Sequence, residues 1–185
     1  LIVDKTENNK RTAHSRMVMR ISKVILMLSV AIFSSLVVFN NVTDYDSNFQ
    51  FVRHVMMMDT TFPGNKGLWR SISNPLYHHA FYLLIISAEG CVALLAWVGT
   101  LQLWRASGDA AVFNHRKDAA ILALTLGIVL WFTGFIAIGG EWFLMWQSKV
   151  WNGQQAAFRI STYFALVLLF ITRDDKDADE KLTLP

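Results

Sequence analysis

The residues that could do chemistry lie close together in one run, Pro75–Trp104, which holds His78, His79, Tyr82 and a single formal charge, Glu89. At about 100° per residue, His78, Tyr82, Ile85, Glu89, Ala96 and Thr100 fall on one stripe of a helix. An acid at mid-membrane depth must face protein or water, because facing lipid is expensive. With no cation in easy reach, burial favours the protonated form of Glu89. The simpler expectation is a neutral acid hydrogen-bonded to Ser or Thr of a neighbouring helix. The sharper ones are a proton relay through Glu89, Tyr82 and His78, a contact with quinol, or a contact with another subunit.

The histidines fit a cofactor poorly. A b-type haem in a bundle needs two His at matching depth on facing helices, and the other three apolar runs contain none. His54 is the only second ligand within reach, so haem is not expected. A metal site from His54, His78, His79 and Asp59 lacks a recognisable spacing. No nucleophile elbow, phosphate-binding glycine loop, zinc motif or dinucleotide fingerprint is present. No catalytic residue, no metal and no enzymatic activity are therefore expected, and lipid or quinone remain the conceivable ligands.

Glu141 and Arg159 lie nine residues either side of Val150. A tight hairpin there would set them at one depth on adjacent helices, so a structural ion pair is expected between them. Lone Cys91 excludes an internal disulfide framework and reads as a small packing residue.

Four long apolar runs must position these groups: Val24–Phe39, Pro75–Trp104, Ala119–Trp146 and Gln155–Ile171. With 54% hydrophobic residues and seven Trp in 185 residues, the chain is more apolar than an ordinary soluble domain. The expected fold is an all-α membrane protein, an antiparallel four-helix transmembrane bundle with a partly helical outer loop. Its spans run over about 18–40, 75–104, 118–146 and 154–172 within a transmembrane domain of 17–172. A polar arm (1–16) precedes it, and a charged tail (173–185) comes after it. No span contains Pro beyond its first residue, where Pro75 is tolerated, so unbroken helices are expected.

Twelve Lys and Arg fall on the side of the arm, the loop after Trp104 and the tail, against four on the other side. The excess of positive charge places both termini in the cytoplasm. The formal charge of +3 thus reflects topology; no basic cluster interleaved with aromatics points to nucleic acid. The arm is expected to lack order and the tail to be solvated. The chain begins with Leu1, and Met17 or Met19 are natural translation starts.

Asn74 before Pro75 is a helix start, and Asp109 can cap a further helical segment after Ser107–Gly108. Gly127 and Gly134, seven apart, offer a small-residue face to a neighbour. Trp142, Trp146 and Trp151 form an outer aromatic belt, with Trp97 and Trp104 at the inner surface. The outer cap, 41–74, is too apolar for a linker: Phe49, Val52 and Met56 give FQFVRHVMMM one apolar face, as in an interfacial helix. Asn41-Val42-Thr43 is a glycosylation sequon, set aside because it matters only in a eukaryotic secretory route.

The stretch FVRHVMMMDTTFPGN, then LWRSI, then YHHAFYLLIISAE resembles a bacterial family of predicted small integral membrane proteins of unknown function. The resemblance spans roughly 21–172 and is most specific at Met58–Gly64, which holds Asp59, Thr60, Pro63 and Gly64. It implies a bacterial inner membrane and four spans, and it brings no activity. The expected function is a non-catalytic accessory subunit of a larger inner-membrane complex, a respiratory or redox assembly being favoured. The alternatives are a small proton- or ion-coupled transporter using Glu89, and a quinone- or haem-binding electron carrier. Expected partners are membrane lipids and other membrane subunits.

Overall fold

The computed structural model describes the backbone of residues 2–177 and the side chains of residues 12–177. Helix α1 runs over Ile2–Thr43. Residues 2–16 are its first turns and do not form a separate arm without structure. They contain neither Gly nor Pro, and a helix already nucleated by an apolar span extends at little further cost. After Asp44, α2 (Tyr45–Met57) turns its buried Phe49, Val52, Val55 and Met56 inward, the apolar face the sequence predicts. A 3₁₀ turn lies next, at Leu68–Arg70.

Helix α3, Pro75–Ala106, starts as expected: the Asn74 side chain accepts from the Leu76 amide at 2.9 Å. Asp109 caps α4, Ala110–His115, by accepting from Val112. Helix α5 begins at Asp118 and keeps α-helical winding to Ile128; from Val129 to Trp142 it is π-helical. The span is unbroken, as the lack of Pro predicts, but its winding changes half-way, and the Phe143 amide still bonds back five residues to the Ile138 carbonyl at 3.0 Å. A 3₁₀ turn at Met145–Gln147 leads to α6, Gln154–Ile171.

The four long apolar helices pack as a membrane bundle. Helix α1 lies along α3, α3 along α5, α5 along α6, and α6 returns to α1. The α1–α3 pair is antiparallel: Asn41 meets Glu89, whereas Ser35 meets Trp97. The bundle core gathers Met27, Ala31, Ala96, Leu103, Ala120, Leu124 and Ile171. A second core, built from Phe49, Val55, Met58, Tyr82, Phe143 and Met145, joins α2 to the ends of α3 and α5. We call that end the cap end and the opposite one the terminal end.

Small residues set the closest approaches. A Cβ on Gly99 would lie 2.7 Å from the Ala120 backbone nitrogen, so α3 and α5 touch backbone to backbone there. Gly127 admits the ring of Phe164. Gly134, expected on the same face, meets no neighbouring helix: a Cβ there would find only Leu130, at 3.9 Å. Winding with i→i+5 bonds turns it away from the stripe that a seven-residue spacing would share in an α-helix. Cys91 is exposed on the outside of α3, not a packing residue within the bundle.

Candidate functional site

The buried polar stripe of α3 converges on Asn41, in the last turn of α1. Asn41 Nδ2 donates to Glu89 Oε2 at 2.6 Å. Asn41 Oδ1 accepts from the Tyr82 hydroxyl at 3.2 Å and from Asn48 Nδ2 of α2 at 2.7 Å. Asn41, Tyr82 and Glu89 are 6%, 1% and 4% exposed, so α1 and α3 exchange these hydrogen bonds away from solvent, while the exposed Asn48 joins them from α2. The amide orientation is fixed by this network: its oxygen faces two donors and its nitrogen an acceptor. Glu89 also lines a small cavity of about 10 Å³ with Ser34 and Trp131, the volume of about one water molecule's centre.

The rest of the stripe is engaged separately. His78, 1% exposed, is 2.7 Å from the Ile72 carbonyl through Nε2. A carbonyl only accepts, so Nε2 carries the proton and the buried Nδ1 is left without a partner. His79 is stacked on Phe49 with ring centres 4.1 Å apart, and its Nδ1 is 3.0 Å from the Tyr45 hydroxyl. Burial pushes the Tyr45 phenol up, and the direction of its bond to His79 follows the tautomer of the ring. Thr100 donates to Ala96 in its own helix. Tyr82 and Glu89 are thus brought together through Asn41, while His78 and Thr100 are not joined to them.

The cap-end loop is a latch. Met58 ends α2 in the left-handed region, φ 54°, and its 2% exposed side chain plugs the second core. Asp59 accepts from His54 Nδ1 at 2.7 Å, and the His54 ring stacks on Trp151, centres 4.8 Å apart. Thr60 donates to Ser148 at 2.8 Å. The Phe62 amide and Asn65 Nδ2 both donate to Gln147 Oε1, at 3.1 and 3.2 Å. Pro63 and Gly64 make the turn between them, with Gly64 at φ +76°. The loop therefore closes on the segment between α5 and α6 through side chains on both sides.

A family model described as predicted small integral membrane protein (DUF2165) matches residues 19–173. The chain belongs to that family. No curated protein and no solved structure matches it. The match covers all four candidate membrane-crossing helices apart from the first turns of α1.

In this DUF2165 chain the pair expected between Glu141 and Arg159 does not form. Both side chains are exposed, and no ion pair among the described residues includes either of them. The expectation counted α-helical residues down to a tight hairpin at Val150. Instead the π-helical winding reorients Glu141, and residues 143–153 fold into the latch. His54, His78 and His79 each have a different partner, so the sequence's candidate metal cluster does not assemble. Among the described residues no three His, Cys, Asp or Glu side chains could hold a metal ion.

At the terminal end the start of the tail is docked, not solvated. Asp175 Oδ2 sits 2.6 Å from Lys23 and 2.9 Å from Lys117, and all three side chains are buried. Both lysines also donate to the Arg173 carbonyl, each at 2.6 Å. Asp177 accepts from the Ala110 amide at 2.9 Å and from Arg20 at 2.8 Å. The Ala110 hydrogen bond, then Arg20, holds the Asp177 carboxyl below its usual range. Residues 178–185 of the expected tail lie outside the described residues.

The sequence reading missed Asn41, Asn48, Gln147 and Ser148. The signal for Asn41 was present: an amide one turn from the end of an apolar helix, opposite an unpaired acid. The signal for Gln147 and Ser148 was weaker, two polar residues directly after Trp146.

Proposed function

We propose that this DUF2165 protein is a non-catalytic accessory subunit of a larger bacterial inner-membrane complex, with both termini in the cytoplasm and a respiratory or redox assembly as the favoured host. The observation that carries this reading is that the buried polar side chains of Glu89, Tyr82 and Asn41 are spent on one another. Glu89, Tyr82, Asn41 and Asn48 bond among themselves, and His78 bonds to a loop carbonyl. Glu89, Tyr82 and Asn41 are turned to one another and away from solvent, whereas the outward faces are broad and apolar. Only 17% of the most apolar stretch of Ala110–Trp142 is buried within the chain.

Native mass spectrometry on protein extracted from its own membrane in mild detergent tests the reading. A mass well above 21.0 kDa, carrying other polypeptides, is expected. A lone monomer or a symmetric homo-oligomer overturns it.

One observation favours a second reading, a small proton- or ion-coupled transporter: the cavity of about 10 Å³ beside Glu89. Under that reading Glu89→Gln abolishes pH-dependent transport in proteoliposomes; under the accessory reading there is no such transport to lose. The electron-carrier reading has less support, because His78 Nε2 and the His79 ring are already engaged. Purified protein with a visible absorbance band or bound quinone would revive it.

A further inference from the structure

Where the latch closes, a cavity of about 10 Å³ lies between the end of α2 and the segment that joins α5 to α6. His54, Met58, Met145 and Trp151 line it, together with Thr60 and Ser148. We propose that this cavity is a copper(I) site, with the sulfurs of Met58 and Met145 and Nε2 of His54 as ligands and the Trp151 ring beside them. The site does not depend on the accessory-subunit reading. It also differs from the His and Asp cluster weighed from the sequence, because two of its three ligands are thioethers.

The donor set decides the metal. Thioether sulfur selects copper(I), and imidazole is a ligand for copper as well as for zinc. Zinc sites are built from Cys thiolate, His and carboxylate, and this lining supplies one imidazole and no thiolate. Calcium and magnesium need about six or more oxygens, whereas the two hydroxyls here are bonded to each other at 2.8 Å. Charge fits a monovalent ion. The Asp59 carboxylate behind His54 supplies one negative charge, and the face of an indole attracts a cation.

The ligands are prepared for this role. His54 Nδ1 faces Asp59 Oδ2 at 2.7 Å, and a carboxylate accepts, so in the neutral ring Nδ1 carries the proton and Nε2 the lone pair. Nε2 has no partner among the described residues. Metal-bound His commonly has its other nitrogen on a carboxylate in this way. The two left-handed positions outside glycine among the described residues are Met58, φ 54°, and Leu144, φ 52°, directly before Met145. Such backbone is costly and clusters at functional sites; here both instances accompany a buried Met on the same cavity. Met145 Sδ accepts from the Gly153 amide at 3.4 Å, which turns it toward the strand of chain that carries Trp151 and leaves its second lone pair for a metal. The Trp151 amide is held by Ser148 Oγ at 2.8 Å, and its ring lies parallel to His54.

The test is an oxygen-free titration of the full chain in detergent with copper(I) presented as its coloured bicinchoninate complex. The protein should take one equivalent of copper(I), and X-ray absorption at the copper edge should show sulfur and nitrogen neighbours together. Asp59→Ala should weaken uptake by about 10–100-fold through the loss of its hold on His54. Met58→Leu and Met145→Leu conserve volume and remove a ligand sulfur, so each should cost at least about tenfold. Met56→Leu, in the same core but outside the cavity lining, should leave uptake unchanged. No uptake by the wild type overturns the proposal, as does a wild-type spectrum without sulfur neighbours, and both readings stand even if a variant fails to fold. Uptake that folded Met58→Leu and Met145→Leu leave unchanged overturns it too. So does zinc(II) that displaces copper(I) at equal concentration.

Discussion

Asn41 makes three of the four hydrogen bonds its side chain can form, to Glu89, Tyr82 and Asn48. Its removal strands polar atoms on two other helices at once. Asn41→Ala should lower stability by about 1–2 kcal/mol, a fall of about 2–8 °C in Tm for a chain of this size. Glu89→Gln should change Tm little, because a Gln oxygen still accepts from Asn41 Nδ2 at the same place. Thermal unfolding of the two variants in one detergent decides it: equal losses would mean that the Glu89 carboxyl itself, not the amide bridge, holds the helices. Half of this network was legible in the sequence. Spacing on α3 placed Tyr82 and Glu89 on one buried stripe because a regular helix fixes relative angles within itself. Asn41 was not legible as their partner, because the match depends on how far α1 runs past its last apolar residue and on its register against α3.

At the level of elements, the outer loop is held by its contacts across the cap rather than by its own turns. Gln147 Oε1 receives both the Phe62 amide and Asn65 Nδ2. Gln147→Ala should free the loop around Lys66 while leaving the bundle intact, since these bonds lie at the partly exposed edge and each is worth about 1 kcal/mol. Trypsin should then cut after Lys66 faster than in the wild type, with Tm close to unchanged. Protection equal to the wild type would assign the hold to Thr60–Ser148 and the His54–Trp151 stack instead. The sequence showed that Met58–Gly64 was specific, but not what it grips, because its partners lie more than eighty residues away in the chain. Nor did it signal the π-helical half of α5. Apolar composition satisfies a membrane span under either winding, and no Pro marks the change. The expected Glu141–Arg159 pair failed at that point, since its depth-matching assumed 3.6 residues per turn throughout.

Across the whole molecule, the first and last spans are tied together by charge at the terminal end. In the sequence the basic residues of that end read as a topological signal, and the tail's acids read as solvated because charge runs usually are. What the sequence could not show is that Lys23 and Lys117 are already buried, 1% and 4% exposed, and need an anion between them. Asp175 supplies it. Asp175→Asn would leave two buried ammonium groups facing each other, and removing one member of such a cluster costs about 3–5 kcal/mol. A second substitution separates charge from shape. With Lys117→Met added, Lys23 keeps the Arg173 carbonyl as an acceptor at 2.6 Å, and the like-charge repulsion is gone. The double variant should therefore recover part of the Tm lost by Asp175→Asn alone. Trypsin cleavage after Arg173 should keep the same order: fastest in the single variant, slower in the double, slowest in the wild type. An Asp175→Asn protein with wild-type Tm and wild-type protection would show that water and headgroups already neutralise the lysines, and that the tail is no part of the bundle's stability.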